Sequence, residues 1–246
     1  MARAWRRVAA RPAAADDDRP RTAVELDGVS HSYGDRTVLR EVSVVLAEHR
    51  VGVIGSNGSG KSTFARLLNG LVVPTAGRVT VDGLDTATEL RAVRRRVGFV
   101  FQDPDAQIVH PTVAEDVAFG LHNQRVPAAE REERVAEVLA RYGLSGHADH
   151  PAHLLSGGQK QLLAIAGVLV MRPARVVFDE PTTLLDLANR RRVARVVDEL
   201  EQDVVVVTHD LDLLAGFDRV LVVEDGRVVA DGSPGETVDW YVARMS

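Results

Sequence analysis

Val51-Gly52-Val53-Ile54-Gly55-Ser56-Asn57-Gly58-Ser59-Gly60-Lys61-Ser62-Thr63 is the stretch that decides how this chain folds. Its first four residues form a short apolar run of the kind that parallel sheets bury on both faces. Gly55 to Ser62 then fit the pattern G-x-x-x-x-G-K-[ST], a phosphate-binding loop set between a strand and a helix. Glycines let such a loop turn tightly, so that successive N–H groups point inward at phosphate oxygens, helped by the positive end of the following helix. Lys61 adds a mobile point charge, a task for which the flat guanidinium fork is poorly shaped. Only Lys61 and Lys160 are lysines among the 30 basic residues, so a lysine at this place asks for a reason. Ser62 has the hydroxyl that ligates Mg2+ in such loops, and Thr63 continues into the helix. A dinucleotide-binding reading of the glycines from Gly55 to Gly60 is weaker, because it leaves the Lys61-Ser62 pair without a role.

Outward from this loop, short β-rich runs alternate with longer helical stretches from Val24 onward, the pattern of an α/β domain with a largely parallel sheet. Three more apolar runs end in polar groups: Val97 to Phe101 before Gln102, Val176 to Phe178 before Asp179 and Glu180, and Val204 to Thr208 before His209. Parallel strands bring their carboxyl ends to one edge of the sheet, so these groups should converge on the loop. Neighbours on a strand face opposite ways, which lets Asp179 hold Mg2+ while Glu180 polarises an attacking water. Any one of these groups alone reads as a strand end meeting solvent; four in one chain do not.

With 45% apolar and 26% charged residues in 246, the chain can bury one sizeable core. Its net charge of -5 argues against nucleic acid as a partner. The absence of cysteine excludes disulfides and thiolate metal sites. The longest apolar run, Leu162 to Met171, is half of the roughly 20 residues a spanning helix needs. Residues 1–22 mix Arg, Ala, Pro and the Asp16-Asp17-Asp18 run and read as a disordered tail. His147, His150 and His153 invite a metal reading, but Pro151 breaks any shared helical face, so that reading is set aside.

Leu155-Ser156-Gly157-Gly158-Gln159 opens an apolar helix and resembles the signature of ABC ATPases. Tyr33, Gln102, Asp179 with Glu180, Asp186 and His209 follow that family's order and rough spacing, over about residues 23–238. The resemblance implies a fold: an α/β P-loop NTPase with a RecA-like parallel core sheet, an antiparallel β edge and a smaller helical ABC subdomain. It places one ATPase domain at 23–240, the helical subdomain at about 103–170, and a short end at 241–246. It also implies roles. Tyr33 stacks on adenine, Glu180 and His209 serve hydrolysis, Gln102 senses Mg2+, and Asp186 belongs to the D-loop that touches a second chain. The signature residues contact ATP held by that partner, in a homodimer or a heterodimer. Physics agrees, since a second helix N-terminus with anion-binding geometry has no use for phosphate unless another molecule supplies it. Leu184 and Leu162 depart from the family's usual small residue and arginine.

The run Gln102-Asp103-Pro104-Asp105-Ala106-Gln107 and the segment Pro111 to Gly120 resemble the ATPases of energy-coupling factor importers. These work peripherally at the cytoplasmic face of the membrane, with a transmembrane coupling subunit and a substrate-binding membrane protein. The run from Lys160 through Leu187 resembles the biotin type, with cobalt or nickel importers as the runner-up. Soluble ABC proteins of DNA or ribosomes fit less well, since no sustained heptads separate Lys61 from Ser156. A P-loop kinase would have no use for Ser156 to Gln159.

Overall fold

The computed structural model describes residues 22–245. The tail assigned to residues 1–22 lies outside them, except for Thr22, which is buried. Two sheets and a helical layer enclose the core. A four-stranded antiparallel sheet runs in the order β2-β1-β4-β5, from β1 (Val24–Tyr33), β2 (Arg36–Leu46), β4 (Ala76–Val81) and β5 (Leu84–Asp85). A six-stranded sheet runs β10-β9-β3-β8-β7-β6, from β3 (Arg50–Ile54), β6 (Val97–Val100), β7 (Arg175–Asp179), β8 (Asp203–Val207), β9 (Arg219–Glu224) and β10 (Arg227–Gly232). Five of its strands are mutually parallel and β10 closes the edge antiparallel to β9.

Both faces of the six-stranded sheet are covered, which is why its strands read as continuous apolar runs. Side chains alternate by the pleat: Val51, Val53, Val205 and Val207 enter the core toward the antiparallel sheet, whereas Ile54, Val204 and Val206 enter the core toward the helices. Helix α1 (Lys61–Leu67) fills the first core with the fully buried Phe64. The second core is capped by α3 (Val113–Asn123), α4 (Ala128–Arg141), α5 (Gly157–Leu169) and α6 (Leu187–Asp198). Two helices start on reciprocal caps: Thr112 with Glu115 for α3, and Ser156 with Gln159 for α5. Pro173 follows soon after α5 and helps end it. The remaining helices are α2 (Leu90–Arg96), leading into β6, and α7 (Pro234–Met245). Helix α7 runs through the boundary that the sequence reading placed after residue 240. The helix packs on β9 and β10, with Tyr241 against the core and Arg244 paired with Glu224 at 2.9 Å.

At the amino ends of β7 and β8, opposite the phosphate loop, Arg175 is fully buried. It donates to the Thr22 carbonyl at 2.7 Å and pairs with Asp203 at 3.3 Å, while the Thr22 N–H donates to Asp203 at 2.9 Å. Arg50, on β3, donates to the carbonyls of Val197 and Asp198 at 2.6 and 2.7 Å, closing the last turn of α6. These buried guanidiniums fix the far end of the sheet and leave its carboxyl edge to the site.

Candidate functional site

The carboxyl ends of β3, β8, β7 and β6, neighbours in the sheet, open on a cavity of about 710 Å³. Tyr33, Gly55, Ser56, Asn57, Gly58, Gly60, Lys61, Ser62, Thr63, Gln102, Glu180 and His209 all line it. The loop between β3 and α1 has little freedom. Gly55 has φ 147°, and an added Cβ would lie 2.0 Å from the Val223 carbonyl oxygen. No other residue fits there. Ser59 does not line the cavity; its carbonyl accepts from the Gly226 N–H at 3.0 Å. The β9–β10 hairpin therefore braces the loop from behind. Asp225 and Gly226 at φ 48° and 77° supply the two positive values a type I′ turn needs.

Lys61 donates to the carbonyls of Gly55 and Ser56, both at 2.8 Å. Burial lowers its pKa, and the nearby Glu180 and Asp179 carboxylates oppose that shift. Beneath it, Ser62 Oγ donates to Asp179 Oδ1 at 2.9 Å. Burial holds the Asp179 carboxyl above the usual carboxylate range, against the Ser62 hydrogen bond and the Arg66 guanidinium. Two oxygen donors converge here at a partly desolvated carboxylate, a set that suits a hard cation such as Mg2+. Glu180 has φ 52°, an uncommon value for a non-glycine residue. Its Oε2 accepts from His209 Nδ1 at 2.7 Å and from Thr183 Oγ1 at 3.0 Å. With Nδ1 so engaged, His209 Nε2 has no partner among the described residues. Tyr33 is half exposed at the cavity mouth, and its ring meets that of His31 edge to face, centroids 4.6 Å apart. His31 is in turn pinned by an Nδ1–H donation to the Val73 carbonyl at 3.0 Å.

A family model described as ABC transporter matches residues 39–183. The chain belongs to the ABC transporter family. It is an ATPase of that family and binds ATP. An ABC transporter ATP-binding protein of Deinococcus radiodurans is 63% identical over 223 residues, covering 91% of this chain and 99% of that protein. The biotin transport ATP-binding protein BioM of Rhizobium etli is 47% identical over 218 residues, covering 89% of this chain and 97% of that protein. Among solved structures, cbiO1 from Clostridium perfringens, part of the ABC transporter complex cbiONQ, superposes with a TM-score of 0.77 at 34% identity, covering 90% and 93%. The ATP-binding cassette MJ0796, solved as a dimer in a post-hydrolysis state bound to ADP and Pi, superposes with a TM-score of 0.77 at 32% identity, covering 86% and 98%.

The ABC signature lies elsewhere on this chain. None of Leu155, Ser156, Gly157, Gly158 and Gln159 lines the phosphate cavity. Ser156 caps α5, its backbone N–H donating to Gln159 Oε1 at 2.9 Å. Gln159 Nε2 also lies 3.1 Å from His147 Nε2, so one of the three histidines contacts the signature. Asp186, expected at a second chain, caps α6, accepting from the Asn189 N–H at 2.8 Å and from its side-chain amide at 3.0 Å. Gly158 touches that same side chain: an added Cβ would lie 2.2 Å from Asn189 Cγ. The signature and Asp186 thus form one packed unit. Lys160, the second lysine, reaches Asp105 at 2.7 Å, tying the signature helix to the segment after Gln102. Gln107 does the same from its other side, accepting from the Phe101 N–H at 3.1 Å and donating to the Ala164 carbonyl at 2.8 Å.

Arg36, Val38, Thr183 and Tyr241 also line the cavity and were not foreseen as site residues. Thr183 could have been found from its spacing to Glu180. Tyr241 had no such signal, because it reaches the cavity only through the packing of α7 on β9.

Proposed function

We propose that the chain is the ATP-hydrolysing subunit of an energy-coupling factor importer, with biotin as the cargo. The observation that carries its catalytic half is the placement of Lys61, Ser62, Glu180 and His209 around one cavity, with Asp179 behind Ser62, while the signature is left outside it. The phosphate loop and the first turn of α1 bind the triphosphate, and Tyr33 offers its face to the base. Ser62, Asp179 and Gln102 would hold Mg2+, which supplies charge neutralisation on the phosphates. Glu180 orients a water and accepts its proton; His209, fixed through Nδ1, directs Nε2 at the terminal phosphate. Hydrolysis needs positioning and charge more than covalent chemistry, and this set provides both.

The second half-site comes from another cassette. Ser156 and the N–H groups at the start of α5 complete the cavity of a partner chain, whose own signature completes this one. The MJ0796 cassette, a dimer bound to ADP and Pi, supports the pairing of two such chains. Assignment to a biotin importer rests on the likeness to BioM, together with the run from Lys160 to Leu187. The chain then acts at the cytoplasmic face of the membrane, bound to a transmembrane coupling subunit and a substrate-binding membrane protein. Among the described residues no helix is long and apolar enough to cross a membrane itself. The test is Glu180→Gln in the purified chain with light scattering. ATP should double the particle mass while ADP leaves it unchanged, and turnover should nearly stop. A variant that turns over normally places the base elsewhere.

A further inference from the structure

A second cavity of about 670 Å³ shares no lining residue with the nucleotide cavity. It lies between α2 and the end of α3 and is lined by Arg91, Arg94, Arg95 and Arg125, with the amides of Asn123 and Gln124 and with Gly120 and Met171. No carboxylate lines it, in a chain whose net charge is -5. Arg96, on the same helix but outside the cavity, has its acid in Asp82 at 3.4 Å. The four lining guanidiniums have none among the described residues. Arg94 donates to the Gly70 carbonyl at 3.2 Å and Arg95 to the Arg91 carbonyl at 3.4 Å, and both contacts are long.

Arginines near a helix C-terminus offset its dipole, and both α2 and α3 end here. Each helix end carries about half a negative charge, so the two together offset about one of the four guanidiniums. A large positive excess remains. Moreover, Arg91, Arg94 and Arg95 stand at i, i+3 and i+4, spacings at which like charges destabilise a helix. The four side chains are exposed to solvent and stand together around a concavity of ligand size. Planar forks and amide donors without a competing acid fit the oxyanions of a phosphate group.

We propose that this pocket binds a phosphate group, carried either by an anionic lipid headgroup or by a soluble phosphorylated compound. The test uses the whole chain saturated with ADP, so that the nucleotide cavity is filled. Wild type and Arg91→Gln/Arg95→Gln are compared in two arms: sedimentation with phosphatidylglycerol or phosphatidylcholine vesicles, and calorimetric titration with inorganic pyrophosphate. Wild type should bind the anionic vesicles, the pyrophosphate or both, and the double variant should bind at least about tenfold more weakly. Basal ATPase should be unchanged in the variant, which also shows that it is folded. Binding confined to vesicles names a lipid; binding confined to pyrophosphate names a soluble ligand. Arg91→Lys/Arg95→Lys should fall between, since charge is kept and the fork lost. Equal binding by wild type and the Gln variant overturns the proposal. So does an absence of binding in both arms, with the Gln variant instead failing to assemble with its membrane partners, which would make the pocket a protein contact.

Discussion

Gly157 and Gly158 are adjacent in the first turn of α5, yet an added methyl group meets different surroundings at each. At Gly157 nothing lies within 4 Å of a built Cβ, and neither glycine has a positive φ. Alanine is the better helix former by up to about 1 kcal/mol, so Gly157→Ala should leave the fold unharmed or slightly firmer. At Gly158 the same group lands 2.2 Å from Asn189, whose amide is held by Asp186. Overpacking of this kind costs about 1–3 kcal/mol, partly offset by the helix gain. For a chain of this size each kcal/mol moves Tm by about 2–4 °C. Differential scanning calorimetry should show Gly157→Ala at or above wild type and Gly158→Ala a few degrees below. ATPase activity then separates monomer from dimer. If the signature faces a partner's phosphate, the space beside Gly157 is empty only in the lone chain, and Gly157→Ala should lose most turnover while keeping ATP affinity. A Gly157→Ala protein that melts normally and hydrolyses normally would refute the composite site.

Lys61→Ala should lose most nucleotide binding, read by titration with a fluorescent ATP analogue; unchanged affinity would remove the phosphate loop from the mechanism. Tyr33→Ala should weaken ATP binding by about 1–3 kcal/mol, the range for base stacking, with little change in kcat. Asp203→Ala removes the carboxylate that pairs with Arg175 and accepts the Thr22 N–H, and should cost about 1.5–3 kcal/mol by denaturant melt, while KM for ATP stays unaltered. Asp179→Asn should abolish turnover yet stabilise the ligand-free protein at neutral pH. Burial raises the folded pKa of Asp179 above its unfolded value, so its contribution favours folding at low pH and is lost as pH rises through the raised pKa. Removing the charge removes that cost, and the gap in Tm between variant and wild type should close as pH falls into the carboxylate range. A lower Tm for the variant at neutral pH would contradict this.

Much of the site was legible because its chemistry is local in sequence. The apolar runs ending at Ile54, Val100, Asp179 and Val207 are strands within a residue of where their composition placed them, and their polar ends meet at one edge. What escaped is what long-range packing decides. The brace from Gly226 to Ser59 depends on a hairpin meeting the phosphate loop across the sheet, which no local signal marks. Tyr241 follows from the docking of α7, and the pinning of Tyr33 by His31 and Val73 joins β1 to the loop before β4. Helix α7 runs through residue 240 without a break, and no composition change marks that point.

The internal contacts of the nucleotide cavity bear on how ATP could drive motion. Lys61 is satisfied by two loop carbonyls, Ser62 by Asp179, and Glu180 by His209 and Thr183, so the cavity is already hydrogen-bonded without a ligand. A triphosphate must replace some of these bonds, which lowers the net gain of binding to one chain. At the signature the reciprocal cap engages Ser156 and Gln159, while the space beside Gly157 is open. The larger share of differential binding then arises only when a second chain closes, and a ligand shifts an equilibrium by no more than that difference. On this reasoning a monomer binds ATP weakly and hydrolyses it slowly. In the proposed dimer, loss of the terminal phosphate would take away the contact both chains share, and reopening would need no further input. Dilution supplies the check: turnover per chain should fall as protein concentration drops, and a constant value down to the lowest concentration would mean that one chain suffices.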